Sequence, residues 1–409
     1  MKNYILILAT SLVAVSCSAQ TKLWTQKGNP LNNSINSVAF RDDGLKVISG
    51  TNCHPSSIRI FDVSNGNTDW DYTLGTSFMC IMGVTFSENS NYIAAIEEMG
   101  NIILFDNSGA TPVVIDTIST GTSYGFATAI SPANDKLAVG CSNGKLKLYN
   151  LVGGSLANSI TAHTRWVTTV TYAPNANYLV TGGDDNKVKI WTPTGTLLHT
   201  CLGHSGAITN VKVTPDNLYI VSTSKDSTIK VWDITNGTLV KTITGHTDAV
   251  NGVAVSADGQ QMASASSDGT CKVWDFATST PLFSFGEPDN NALQTVAWSS
   301  RSNKIVTGSM NSDVTLWDIS ATTNLKSTVT ELNFVLFPNP SSQYIQLHLS
   351  NADNFRNIQL IDLLGNVLYT SSTLPKTIDV DGLPSGQYHL VVTTKENKQF
   401  SKLVNIIKQ

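Results

Sequence analysis

GHSGAITNVKVTPDNLYIVSTSKDSTIKVWD at residues 203–233 and GHTDAVNGVAVSADGQQMASASSDGTCKVWD at residues 245–275 are two copies of one pattern. Each opens on Gly-His, runs through an alternating apolar stretch, a polar turn and a second stretch, and closes on Trp-Asp. Outward from this pair the same unit recurs until seven copies fill the middle of the chain, and repetition at such a period decides the architecture. The first stretches are INSVAF, IMGVTF, GFATAI, VTTVTY, ITNVKV, VNGVAV and LQTVAW, ending at Phe40, Phe86, Ile130, Tyr172, Val213, Val255 and Trp298. Turn chemistry follows each one, as RDDG, SENS, SPAND, APNAN, TPDN, SADG and SSRSN, rich in the residues that reverse a chain most readily. An aromatic closes the third stretch of every unit: Phe61, Phe105, Tyr149, Trp191, Trp232, Trp274 and Trp317, at intervals of 44, 44, 42, 41, 42 and 43 residues. Period-two alternation with β-branched and aromatic enrichment predicts strands throughout, and no long helical stripe interrupts them.

Spacing inside the units is equally regular. His163, Thr181, Asp185 and Trp191 recur as His204, Ser222, Asp226 and Trp232, then as His246, Ser264, Asp268 and Trp274. In all three sets His precedes Asp by 22 residues and Trp by 28. Ser, His and Asp together invite comparison with a hydrolase triad, but an active site does not need three copies in one array. The three histidines fall on different units, which argues equally against a shared metal site. The other units depart from the pattern. The last keeps Thr307 and Trp317 but has Asn311 for Asp. The third has Asn143 and Tyr149 but Val139 at the hydroxyl position, the second has Ala95 and Met99, and the first has Pro55 in a turn lengthened by Cys53-His54-Pro55. The first three units are therefore expected to rest mainly on apolar packing.

Among the 409 residues only 14% are charged, against roughly 25% in an average soluble protein. With 26 Lys+Arg and 30 Asp+Glu the net charge is −4, so the basic balance of a nucleic-acid binder is absent. A hydrophobic content of 41% gives ample apolar surface for a core and excludes a disordered chain. Residues 1–19 have the layout of a secretory signal peptide, with one lysine, an apolar run from Tyr4 to Val15 and a small-residue end, cleaved after Ala19. The alternative is lipidation of Cys17 after Ala14-Val15-Ser16. No later stretch reaches the ~18 apolar residues of a membrane-spanning helix. The five remaining cysteines, Cys53, Cys80, Cys141, Cys201 and Cys271, form no C-x-x-C pair; they read as small buried hydrophobes, with one bridge left open in an oxidising compartment.

The Gly-His and Trp-Asp marks, the seven periods and the His/hydroxyl/Asp/Trp sets resemble the WD-repeat family. The resemblance covers roughly residues 22–320 and implies a seven-bladed β-propeller, with Leu23-Trp24-Thr25 completing the last blade. It implies a buried hydrogen-bond network for each tetrad, and a contact face on the loops before the first strand and after the second. Beyond a Ser/Thr-rich linker at 321–334, residues 335–409 read as a small antiparallel β-sandwich. Phe337-Pro338-Asn339-Pro340, the Asp362…Gly365 turn, Leu383-Pro384-Ser385-Gly386-Gln387-Tyr388 and a Lys/aliphatic tail resemble the type A C-terminal sorting domain of type IX secretion cargo. The expected fold class is thus all-β, a propeller at 20–320 followed by the sandwich. The expected route runs through the periplasm to an outer-membrane secretion translocon, leaving the protein secreted or attached to the outer surface.

No cofactor, metal or catalytic residue is expected. Gly121-Thr122-Ser123-Tyr124-Gly125 copies the G-x-S-x-G string but lies where a blade should begin, not on a strand-to-helix turn. Asp379-Val380-Asp381-Gly382 lacks the later ligands of a calcium loop and reads as a turn. The leading expectation is an interaction scaffold for an extracellular or surface protein, with Arg165, Trp166, Asp184, Lys225 and Asp248 on the contact face. Arg165-Trp166 stands out against Gly206-Ala207 and Asp248-Ala249 in the next units, since Trp and Arg dominate interface energies. Trp166 packed against a neighbouring blade is the competing reading. Two further functions stay open: a polysaccharide-binding or polysaccharide-degrading propeller, and a passive spacer. The former needs two carboxylates at glycosidase separation, and the adjacent Glu97-Glu98 reads rather as a solvated turn.

Overall fold

Alternation of apolar and polar residues, punctuated by tight turns, folds the repeats into seven antiparallel sheets of four strands each. The computed structural model describes residues 20–28, 34–52, 56–74, 80–121, 124–286, 291–320, 334–337, 344–349, 355–362, 367–375, 377–395 and 399–406. The expected signal peptide, the linker to residue 333, Cys53-His54-Pro55 and Thr122-Ser123 lie outside these residues. Blades 1 to 6 span residues 35–73, 81–119, 125–161, 167–201, 208–243 and 250–286. Blade 7 combines Leu293–Trp298, Lys304–Ser309 and Asp313–Asp318 with the N-terminal strand Thr21–Lys27. The seven first strands fall on the seven stretches read from the sequence. Each touches the first strand of the next blade, and blade 7 touches blade 1, so the ring is closed.

The N-terminal strand covers the edge that Asp313–Asp318 would otherwise expose as a template for aggregation. The strand pairs antiparallel with Asp313–Asp318, from Thr21 opposite Asp318 to Lys27 opposite Asp313. The Lys27 ammonium lies 2.9 Å from the Asp313 carboxylate. Trp24 reaches across to blade 1, donating its indole N–H to the Val63 carbonyl at 3.1 Å and packing on Phe61 with ring centroids 6.0 Å apart. One tryptophan thus pins the first blade to the last.

Buried aliphatic and aromatic residues fill the spaces between successive blades. Ile190 and Val188 of blade 4 pack with Ile208, Val211 and Trp232 of blade 5, for example. Cys141, Cys201 and Cys271 are free and buried, and burial pushes all three thiols up from their ordinary range, making them inert. Cys80 differs: it is disulfide-bonded, with its partner outside the described residues. The one bridge left open by the sequence is therefore present.

Residues 324–409 form a second unit. A three-stranded sheet of Phe334–Phe337, Tyr344–Leu349 and Thr377–Asp379 shares one apolar core with a four-stranded sheet of Val367–Ser371, Phe355–Asp362, Gly386–Thr394 and Gln399–Ile406. Ile345 and Ile378 from the first sheet meet Ile358, Leu360 and Leu390 from the second. The Tyr388 hydroxyl donates to the Pro384 carbonyl at 2.8 Å, which ties the Leu-Pro-Ser-Gly-Gln-Tyr turn to its own strand.

Candidate functional site

Three blades carry the tetrads. Each histidine lies in the loop entering a blade, the hydroxyl on the second strand, the aspartate in the turn after it and the tryptophan on the third strand. In blade 4, Trp191 Nε1 lies 2.9 Å from Thr181 Oγ1, which is 2.8 Å from His163 Nε2, while His163 Nδ1 lies 2.7 Å from Asp185 Oδ1. Blade 5 repeats this with Trp232, Ser222, His204 and Asp226, all three links at 2.8 Å. Blade 6 has Trp274, Ser264, His246 and Asp268 at 2.8, 2.7 and 2.8 Å. An indole can only donate and a carboxylate only accept. The protons are therefore ordered: indole N–H to hydroxyl oxygen, hydroxyl O–H to Nε2, and Nδ1–H to carboxylate. No member is left unsatisfied, the condition under which a buried polar network specifies one packing.

The electrostatics agree with that order. Burial opposes ionisation of Asp226, but hydrogen bonds from Thr228, His204 and the Ser205 N–H outweigh it and hold the carboxyl at about 2. Asp268 sits at about 2 for the same reasons, through Thr270, His246 and the Thr247 N–H. For Asp185, also at about 2, burial is outweighed by His163 and the backbone N–H groups of Thr164 and Lys187. Burial lowers the His204 and His246 imidazoles below their ordinary 6.5 against the pull of their aspartates. Blades 5 and 6 thus hold a neutral histidine against an ionised aspartate. In each of the three blades the hydroxyl oxygen already accepts a buried indole N–H, a bond that the nucleophile of a hydrolase triad does not make.

Two contributors escaped the sequence reading. Thr228 Oγ1 and Thr270 Oγ1 donate to Asp226 and Asp268 at 2.6 Å, from the second position after each aspartate. The signal was present as Asp-x-Thr, replaced in blade 4 by Asp185-Asn186-Lys187. Blade 4 has a different constraint, for a Cβ on Gly183 would stand 2.4 Å from His163 Nδ1 and 2.7 Å from Asp185 Oδ1. Blade 7 keeps the Trp317–Thr307 link, at 2.9 Å. Blades 1 to 3 use buried Phe61, Phe105 and Tyr149 instead. Ser49, at the hydroxyl position of blade 1, is left with its oxygen buried and unpartnered, as expected where no indole donor faces it.

The tetrads brace one face of the ring. On that face the N–H of the residue after each second strand bonds the carbonyl of the residue before each first strand. The seven pairs are Asn52–Ser34, Glu98–Cys80, Ser142–Tyr124, Asp184–Trp166, Lys225–Ala207, Ser267–Ala249 and Met310–Ala292, at 2.8 to 3.0 Å. Trp166, Asp184 and Lys225 thus occupy matched positions, with Arg165 and Asp248 one residue upstream in their loops. Trp166 stacks on Phe126 of blade 3, centroids 4.8 Å apart and planes 16° from parallel, yet remains 49% exposed. Packing on a neighbouring blade and presentation to solvent therefore coexist in this residue. The Arg165 guanidinium, 70% exposed, lies 3.3 Å from the Asp184 carboxylate. Lys225 and Asp248 are exposed on blades 5 and 6 and are not drawn into this cluster; Asp248 instead accepts the Ala249 N–H at 2.6 Å.

Phe126 and the exposed Tyr124 were missed by the sequence reading, although Phe126 stands where the other blades have Asn36, Met82, Thr168, Thr209, Asn251 and Gln294. Glu97 corrects the expectation of a solvated turn. It ends the second strand of blade 2, is buried, and accepts the Asn101 amide at 3.0 Å. That strand position points inward in every blade, and a carboxylate can occupy it because Asn101 supplies a donor.

Comparison with known proteins agrees with this architecture. A WD domain, G-beta repeat model matches residues 154–192, 195–233, 237–275 and 279–318, and a secretion system C-terminal sorting domain model matches 335–408. The chain is 31% identical over 107 residues to human WD repeat-containing protein 3, covering 26% of this chain and 11% of that protein. It is 36% identical over 81 residues to a probable coatomer subunit beta' of Schizosaccharomyces pombe, covering 19% and 10%. To U3 small nucleolar RNA-associated protein 4 of Saccharomyces cerevisiae it is 24% identical over 186 residues, covering 40% and 24%. The chain therefore spans only about a tenth to a quarter of the length of these relatives. Repeat marks, closed ring and family models converge: the chain joins a WD-repeat β-propeller to a secretion-system C-terminal sorting domain.

Proposed function

We propose that the protein is an exported interaction module whose propeller grips another protein through the face carrying Arg165 and Trp166. The sorting domain indicates type IX secretion, and hence release or attachment at the outer surface. WD repeats indicate protein partners in general. The observation that supports this face is the Trp166–Phe126 stack. A large aromatic is held in one orientation by its neighbour while half its surface stays in water. Such a side chain has already lost its rotamer freedom and still has apolar area to bury, which favours a binding hot spot. Arg165, Lys225 and Asp248 supply a charged surround of the kind that fixes register and excludes wrong partners.

Affinity capture from envelope and culture-medium extracts tests the proposal, with the chain from Gln20 as bait. A parallel bait carries Arg165→Ala, Trp166→Ala and Lys225→Ala. A protein retained by the first and lost from the second, with circular dichroism unchanged, supports the assigned face. Equal recovery on both baits removes it, and retention of a glycan in place of a protein transfers the function to carbohydrate binding.

A further inference from the structure

We propose that the half of the central channel remote from Trp166 binds a small oxyanion, a carboxylate- or phosphate-bearing molecule, through the ammonium of Lys212. Lys212 is the fifth residue of the first strand of blade 5, Ile208–Val213. The same position in the other blades is Ala39, Thr85, Ala129, Thr171, Ala254 and Ala297. Six small residues leave room at this level of the channel, and the seventh fills it with a cation.

Three adjoining cavities meet at this side chain. One of about 330 Å³ runs past Val38, Val255 and Trp298, and one of about 210 Å³ runs past Thr85, Thr128, Thr171 and Tyr172. The third, about 190 Å³, is the polar stretch toward the other mouth, lined by Ser37, Thr169, Asn210 and Thr295. Lys212 lines all three. The side chain is exposed to the solvent of the channel, and desolvation by the surrounding channel walls lowers its ammonium pKa. Among the described residues it has neither an ion-pair nor a hydrogen-bond partner. Two carboxylates line the same cavities, Asp42 the first and Glu88 the first and second. Asp42 is held by Arg301 at 2.7 Å, and Glu88 is exposed on the rim.

Around this side chain the low-dielectric walls of the channel focus the ammonium's field, and methionine or leucine would fill the same space without it. What the ammonium adds is attraction for an anion that enters the channel. Two further oxygens, Thr128 Oγ1 and Tyr172 OH, are buried without hydrogen-bond partners and belong to residues lining the same cavity. An oxyanion has lone pairs for the ammonium protons and for hydroxyl donors together. A neutral sugar would leave the charge uncompensated, and a metal cation would be repelled.

Isothermal titration of the chain from Gln20 with inorganic phosphate and, separately, sodium acetate tests the assignment against Lys212→Met and Lys212→Arg. Saturable binding with Kd on the order of 1 mM or tighter is expected for at least one probe. It should weaken at least tenfold in Lys212→Met and persist in Lys212→Arg. The probe that saturates names the ligand chemistry, phosphate or carboxylate. Lys212→Met discards an unpaired cation, so its melting temperature should be unchanged or raised. Trp166→Ala should bind the anion as wild type does, which separates this site from the loop face. Absence of saturation by both probes up to about 10 mM, or equal binding by Lys212→Met, overturns the proposal.

Discussion

Replacing Ser222 by alanine removes the one oxygen that joins Trp232 to His204. Both partners are buried, so the indole N–H loses its acceptor and Nε2 loses its donor at once. An orphaned buried polar group costs about 1–3 kcal/mol, and two of them make the expected loss about 3 kcal/mol. The methyl group fills nearly the space of the hydroxymethyl, so cavity formation adds little. A second substitution separates the network from packing. Trp232→Phe alone loses ring volume, but in the Ser222→Ala background it also removes the orphaned N–H. The double variant should therefore be more stable than the two single losses predict, by about 1–3 kcal/mol. Blade 2 already has this pair as Ala95 and Phe105. Urea unfolding of the chain from Gln20, followed by circular dichroism at fixed pH, gives the four midpoints of the cycle. A Ser222→Ala loss below about 1 kcal/mol, or strictly additive losses, would refute the claim that the tetrad acts as a connected network.

Acid should weaken the propeller in two stages. His204 and His246 are neutral in the fold and below their ordinary 6.5, so their contribution is complete above pH 6.5 and declines as pH falls below it. Asp185, Asp226 and Asp268, at about 2 against an ordinary 3.8, add stability that is complete above that value and lost as pH falls toward 2. The three carboxylates contribute about 2 kcal/mol each; thermal melts from pH 8 to pH 3 should show the decline, and a flat profile contradicts it. Trp24→Ala removes the pin between blades 7 and 1 and should cost roughly 2–3 kcal/mol, with dimers or larger species seen by light scattering once the strand at Asp313–Asp318 becomes accessible. Ala176 has φ 59°, where the matching turns have Gly44, Ser90, Asn134, Asn217 and Gly259. Ala176→Gly should therefore raise stability by about 0.5–1 kcal/mol in the same urea assay.

Most of the architecture was legible because β-structure repeats on a short period. Seven stretches such as VTTVTY and VNGVAV carry their own boundaries, since a polar turn follows each and an aromatic returns after 41 to 44 residues. The tetrads were legible for the same reason: three copies at spacings of 22 and 28 residues fix a geometry that one copy would not. What was not legible depended on contacts between repeats. Phe126 becomes a platform only because blade 4 brings Trp166 over it, and pairing across a blade boundary leaves no mark on the spacing of either unit. Glu97 reads as a surface charge until its strand position and the Asn101 amide are both known. Lys212 is one lysine among 26 basic residues, and only closure of the ring puts it inside a channel.

The placement of the tetrads bears on how the loop face can serve recognition. Each aspartate accepts, besides its histidine, the N–H of the residue that follows that histidine: Thr164 at 3.1 Å, Ser205 at 2.9 Å and Thr247 at 3.1 Å. Two residues further on, a carbonyl is taken by the N–H at the end of the second strand. The backbone of the intervening positions is thus suspended between two fixed anchors. That is where the repeats diverge, as Arg165-Trp166, Gly206-Ala207 and Asp248-Ala249. A frame anchored on both sides keeps the backbone of the dipeptide in place while its sequence differs between blades 4, 5 and 6. It also limits the entropy that a partner's arrival must remove, because the loop backbone is already ordered. The rigidity of the buried network and the variability of the exposed pair are therefore two consequences of one arrangement, and loss of Asp226 or Asp268 should loosen the loop face before it opens the blade.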